Sequence, residues 1–195
     1  MGKVLSHMTM SLDGYIAQPD DQPAELFDWY GAGNVSVPSA NDTVEFNVDE
    51  ASAELLRDLT EGCGAIVSGR HLFDITDGWG DAHPAGAPVV VVSHSVPADA
   101  AERWPRTTFV DGVEAAVAKA REIAGDKHVT IASANVIQQA LDLGLVDEVW
   151  ISLAPVLLGE GKPYFSKLGR GHLLLDDPDV VQGNRAVHLR YPVRH

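Results

Sequence analysis

"HVTIASANVIQQALDLGLVDEVWISLAP", residues 128–155, decides the fold. Residues 128–132 are rich in β-branched side chains, the mark of a strand. Ser133 stands where a helix N-cap belongs. Val136, Ile137, Ala140 and Leu141 then share one helical face, and Gly144 stops the helix. Residues 147–155 are strand-like again. Neither strand alternates apolar with polar residues, so both are expected to be covered on two faces. Strand, helix, strand in close succession is a parallel βαβ unit.

The pattern spreads outward from there. KVLSHMT (3–9), GAIVS (64–68), PVVVVS (88–93) and TTFV (107–110) are further strand candidates. Residues 49–61 read as a helix capped by Asp49 and stopped by Gly62 and Gly64. Residues 112–124 read as another, capped by Asp111, with Val113, Ala116, Val117 and Ala120 on one face. A short helix opens at Gly69-Arg70. The tail, HLLLDD then VVQGNRAVHLRYPV, reads as strands with a hairpin at Gly183-Asn184. Residues 18–47 carry Phe27, Trp29, Tyr30 and Phe46 among Pro, Gly, Asp and Asn; they read as a long irregular segment held by its aromatics. The sum predicts one domain over residues 1–195. It is a three-layer α/β/α sandwich on a mostly parallel mixed sheet, with a C-terminal antiparallel hairpin.

The formal net charge is −14. A field of that sign repels nucleic acid and anionic membrane, so neither is expected as a partner. Apolar residues are 45% and charged residues 22%, the balance of a soluble globular chain. No apolar run reaches the length of a membrane helix. The first residues lack the basic and long apolar regions of a secretory signal. Cys63 is the one cysteine, so no intrachain disulfide can form. A cytoplasmic location is the expectation. His7, His71, His83 and His94 show no paired ligand spacing with cysteine or acids, so no metal is expected. Nothing near Cys63 would lower its pKa, and it is read as inert.

In open α/β sheets, ligands gather at the carboxyl ends of the parallel strands. Three strands here end alike, in Ser68-Gly69-Arg70, Ser93-His94-Ser95 and Ser133-Ala134-Asn135. Small and hydroxyl residues, helix-start amides and one guanidinium make a donor set suited to phosphate. The same residues also serve as ordinary caps of βα loops. Neither GxGxxG nor GxxxxGK[ST] is present. After the strand at 147–155, Gly159 and Gly161 would let backbone approach a flat ring closely, with Lys162 adding charge. An ordinary glycine turn is the other reading.

Four stretches, in order, resemble the dihydrofolate reductase superfamily: "MTMSLDGYIA" (8–17), "IVSGRHLFD" (66–74), "VVSHS" (91–95) and "VIQQALDLGLVDEVWISLAPVLLGEGKPYF" (136–165). The likeness is nearest to the branch holding the riboflavin-biosynthesis reductase domain, the RibD C-terminal type. It implies NADPH as cofactor and hydride transfer to a pterin, dihydrofolate or aminopyrimidine. It implies that Gly69, Arg70 and His71 meet the cofactor phosphates. Ser93 and His94 would hold the adenosine side. Ser133, Ala134, Asn135 and Val136 would lie under the pyrophosphate, and Thr9, Ile16 and Ala17 along the nicotinamide. The chain departs from the pattern in three places. Ser-Ala-Asn replaces a Gly-Gly turn at 133–135. Tyr15 stands where the riboflavin branch commonly has lysine. The place of the folate reductases' helix acid falls near Ala53, between Glu50 and Glu54.

A reductase of this kind needs orientation, a suitable field and one proton source. Asp13, on the loop after the first strand, is the first candidate and Glu54 the second. As alternatives, Asp13-Gly14 is a turn pair and Glu54 an exposed helix residue. Trp29 lies in the segment matching the family's mobile loop and would either stack on a flat substrate, with Phe46 and Leu56 beside it, or anchor the loop as a local hydrophobic residue. A homodimer is the expected assembly. Three functions stay open: an NADPH-dependent reductase of a small heterocycle, a nucleotide- or pterin-binding protein of the same fold without turnover, and a pyrimidine reductase of the riboflavin route.

Overall fold

The computed structural model describes residues 2–194. The first half of the chain gives β1 (Val4–Ser11), β2 (Tyr15–Ala17), β3 (Val35–Val37), β4 (Phe46–Val48), α1 (Glu50–Glu61), β5 (Cys63–Gly69), α2 (Arg70–Ile75) and β6 (Val89–Val92). The second half gives α3 (Ala100–Arg103), β7 (Thr108–Val110), α4 (Val113–Ala124), β8 (His128–Ile131), α5 (Ala134–Asp142), β9 (Glu148–Ala154), β10 (Lys162–Pro163), β11 (Asp179–Gln182) and β12 (Val187–Pro192). Two 3-10 segments, Ala24–Gly31 and Asp77–Asp81, complete the set.

One eight-stranded sheet runs β11-β12-β9-β1-β8-β5-β6-β7. From β9 to β7 every pairing is parallel. The β11–β12 hairpin closes the other edge with antiparallel pairings. The expected mixed sheet with a terminal hairpin is therefore what forms.

Alternation along each strand sorts side chains between two helical layers. Val4, Val149 and Ile151 point to α4 and α5, joining Ala116, Val117, Ala120, Ile137 and Ala140 in one core. Leu5 and Trp150 point the other way, to Leu55, Leu56 and Leu59 of α1 and to Trp29. Ile66, Val89 and Val91 meet Phe73 of α2 and Trp104. Covering both faces is what lets the parallel strands dispense with polar alternation.

Local chemistry explains most boundaries. Asp49 caps α1 as expected, accepting from the Ser52 N–H. Asp111 does not cap α4: Gly112 takes that place at φ 87, and the Asp111 carboxylate pairs with His94 instead, 2.6 Å away. Residues 172–177 make a single bridge, Leu175 to Val193, and one bond from the Asp176 N–H to the Pro192 carbonyl, but no strand. The 18–47 segment is more ordered than expected. It holds the first 3-10 segment and a ribbon of β3 with β4. Trp29 is fully buried, and its indole N–H donates to Thr9 Oγ1 at 3.1 Å.

Candidate functional site

The carboxyl ends of the parallel strands form a rim in two parts. In the first, β5, β6 and β8 end side by side. A Cβ added to Gly69 would fall 2.7 Å from Ser133 Oγ, so the end of β5 touches the start of α5 directly. Ser133 makes no side-chain cap to α5, which leaves the first-turn amides without that partner. Arg70 is held on two sides. Its Nε donates to Asp74 at 2.7 Å, and its Nη1 reaches Ser93 Oγ and the Ser95 carbonyl, each at 3.3 Å. A fixed guanidinium, small residues and open helix amides can together hold a phosphate. Asn135 is exposed, and its side-chain carbonyl accepts from Gln139. Val136 is buried in the core and offers only backbone. His94 is exposed and pairs with Asp111.

The second part is a strap over the end of β1. β10 pairs antiparallel with β2, joining Lys162 to Ala17 and Pro163 to Tyr15. A Cβ on Gly161 would lie 2.2 Å from the Ala17 carbonyl oxygen, so only glycine fits there. Gly159, at φ 77, turns the chain back. Asp13 clamps this turn. Its carboxylate accepts from Ser11 Oγ at 2.6 Å, from the Leu158 N–H at 3.1 Å and from the Gly159 N–H at 2.7 Å. The Ser11 hydroxyl is the main cause holding this carboxyl below its usual range. That is the state of an acceptor holding a loop.

The two parts meet at Asp21. It takes His71 Nε2 at 3.1 Å and Lys162 Nζ at 3.6 Å, tying α2 to β10. The bond from His71 is the main cause lowering its pKa. Ile16 and Ala17 are partly buried under this tie.

Beneath the rim, on the α1 side, the sheet is polar. His7 Nε2 lies 2.9 Å from Ser152 Oγ. Ser152 Oγ lies 2.9 Å from His188 Nδ1, and His188 Nε2 lies 2.9 Å from Ser52 Oγ. Ser52 Oγ donates to Asp49 Oδ2 at 2.7 Å, and the Asn184 N–H donates to the same oxygen at 2.8 Å. Ser52, Ser152 and His188 are all buried. Trp29 packs edge-on against His188, with ring centroids 5.0 Å apart. Burial is the main cause depressing His7 to about 3 and His188 to about 4. The sequence reading passed over this cluster. The signal was there: His7 and Thr9 in VLSHMT, Ser152 in EVWISLA and His188 in VHLRYP are polar residues at inward positions.

The remaining expected residues lie apart. Thr9 is buried and engaged by Trp29, while Phe46 packs in the core edge-on to Tyr30. Trp29 and Phe46 are therefore core anchors in this conformation. Glu54 is exposed on α1, next to fully buried Ala53. Burial raises the Cys63 thiol pKa. Among the described residues, no group of three His, Cys, Asp or Glu could hold a metal ion. Among the same residues, no helix is long and apolar enough to cross a membrane.

Comparison with known proteins agrees with this architecture. No curated protein matches the chain by sequence. Among solved structures, a protein of Shewanella sp. PV-4 named for riboflavin biosynthesis superposes with a TM-score of 0.68 at 25% identity, covering 99% of both chains. RibD of Acinetobacter baumannii gives 0.63 at 17% identity, covering 100% of this chain and 58% of its own. The riboflavin biosynthesis reductase Rib7 of Saccharomyces cerevisiae gives 0.60 at 14% identity, covering 99% and 90%. These share the fold with the eight-stranded sheet described above. The RibD C-terminal domain family matches residues 2–189, nearly the whole chain, and the protein belongs to that family.

Proposed function

We propose that this chain is an NADPH-dependent reductase of a small nitrogen heterocycle of the pterin, dihydrofolate or aminopyrimidine type. It works as a single-domain, cytoplasmic homodimer. The observation that carries the reading is the first part of the rim. Arg70 is fixed between α2 and the end of β6, beside the Gly69–Ser133 contact and the uncapped start of α5. These residues fit a dinucleotide's phosphates: Arg70 and the α5 amides neutralise charge, and Ser93 and Ser95 hold Arg70 in place. Bound NADPH supplies the hydride. Ile16 and Ala17, with Gly161 against the Ala17 carbonyl, would hold the nicotinamide side and exclude water from it. Family membership and the two riboflavin-named neighbours favour an aminopyrimidine among the three substrate classes.

Two measurements test this. NADPH, and not NADH, should raise the melting temperature, because Arg70 favours the 2′-phosphate. An aminopyrimidine or pterin should then drive loss of NADPH absorbance. No melting shift at millimolar NADPH would overturn the reading. Complementation of a strain lacking the riboflavin-pathway reductase would select the aminopyrimidine.

A second reading, a nucleotide- or pterin-binding protein without turnover, is favoured by one observation. Of the two carboxylates expected to give a proton, Asp13 accepts bonds from Ser11, Leu158 and Gly159, and Glu54 is exposed on α1. That reading predicts a melting shift with no NADPH consumption on any heterocycle.

A further inference from the structure

The polar chain under the rim has a direction, and donor counting fixes it. Asp49 is ringed by the Ser52 N–H, the Ser52 hydroxyl and the Asn184 N–H, so its carboxylate only accepts. Burial works to raise its pKa, but these bonds outweigh it and hold the group ionised. Ser52 has one hydroxyl hydrogen, and Asp49 takes it. Ser52 Oγ must therefore accept from His188, which puts a hydrogen on His188 Nε2. His188 is neutral, so its Nδ1 is an acceptor and takes the Ser152 hydroxyl hydrogen. Ser152 Oγ is then left to accept from His7, which must carry its own hydrogen on Nε2. Burial is the main cause keeping both imidazoles neutral; the Asp49 charge works against it at His188, and Arg190 adds a smaller effect in the same direction as burial at both.

The exposure pattern is as telling as the bonds. The three inner links, Ser52, His188 and Ser152, are 0 to 1% exposed. The two ends, Asp49 and His7, are partly exposed. Among the described residues no protein group bonds to His7 Nδ1, and it is not among the buried polar atoms lacking a partner. His7 shares its face of β1 with Thr9, two residues nearer the rim, whose hydroxyl holds Trp29. A buried polar chain of this length is costly in an otherwise apolar layer unless it positions something.

We infer that His7 is a specificity residue: it offers a bare Nδ1 as acceptor to a ring N–H or exocyclic amine of the bound heterocycle, while Ser152, His188, Ser52 and Asp49 act as positioning residues that fix its tautomer. The ligand half of this rests on the heterocycle reading above; the tautomer half stands without it. A substrate presenting only acceptors at that point would face the lone pair and be rejected.

The test is nitrogen NMR on the full chain labelled with ¹⁵N-histidine, without coenzyme, at neutral pH. Both His7 and His188 are expected to carry hydrogen on Nε2 and none on Nδ1. A hydrogen on Nδ1 of His7 overturns the inference. Ser152→Ala should leave His7 as a mixture of tautomers, and Ser152→Thr should restore the single form; a His7 spectrum unchanged in Ser152→Ala overturns the relay. The wild-type spectrum decides the matter should Ser152→Ala fail to fold. An aminopyrimidinone should then shift the His7 Nδ1 resonance, and its analogue methylated at the ring nitrogen and doubly at the exocyclic amine should not. Equal shifts, or none with the amine, overturn the acceptor role. Failure of NADPH to bind would leave the tautomer result intact, so the two readings fail separately.

Discussion

The two faces of the central sheet are built from opposite materials. The face under α4 and α5 is mostly valine, isoleucine, leucine and alanine, with Ser6 and Tyr164 as its buried hydroxyls. The face under α1 carries Thr9, His7, Ser152 and His188 in strands of the same sheet. Both are buried, and both strands and helices are of ordinary length. Apolar burial alone stabilises the first, at about 25 cal/mol per Å² of surface removed from water. The second gains little from its hydrogen bonds beyond what water offered, and loses heavily wherever one is left unmade. A chain selected only for stability has no reason to build the second. The contrast is the one expected if His7 has the acceptor role proposed above.

If that contrast holds, acidity should separate the faces first. His7, His188 and His83 are lowered to about 3, 4 and 4, chiefly by burial. The unfolded chain binds protons that the native chain refuses. Stability should thus be complete above about pH 6.5 and fall as the pH drops toward the folded values, by up to about 1.4 kcal/mol per pH unit for each histidine. Urea titrations across pH 7 to 4.5 would show it; a flat profile would mean these rings are not buried neutral. Next in size, Ile137→Ala on the apolar face should cost about 2–5 kcal/mol with the same pH slope as the parent. Thr9→Val, on the polar face, preserves volume but strands the Trp29 indole N–H, and should cost about 1–3 kcal/mol. A neutral result there would make the two faces equivalent. Smallest of all, Glu54→Gln should stay within about 0.5 kcal/mol of the parent in stability, being exposed. A large loss of turnover in this last variant would restore Glu54 to the chemistry.

What the sequence made legible follows the same division. The βαβ unit at 128–155 could be read because apolar packing on both faces imposes a helical period and unbroken strands on the residues themselves. Asp49 as a cap was legible for the same local reason. The strap was not, because β10 finds β2 through Asp13, whose partners lie 145 and 146 residues away. The polar relay was equally hidden: Ser52 meets His188 across 136 residues and His7 meets Ser152 across 145. Trp29 looks like a loop residue because the 18–47 segment around it is rich in proline, glycine and aspartate. Its burial depends on a hydroxyl from β1 that no local window contains. The donor set at the strand ends was named in advance, and Arg70 with Ser93 and Gly69 with Ser133 do come together. Their neighbour His94 pairs with Asp111 instead.

The contact between Gly69 and Ser133 has a thermodynamic side. Two adjacent strand termini that already touch have no slack to take up when a guest arrives. On the proposed reading, a dinucleotide docking there would forfeit little configurational freedom of the protein.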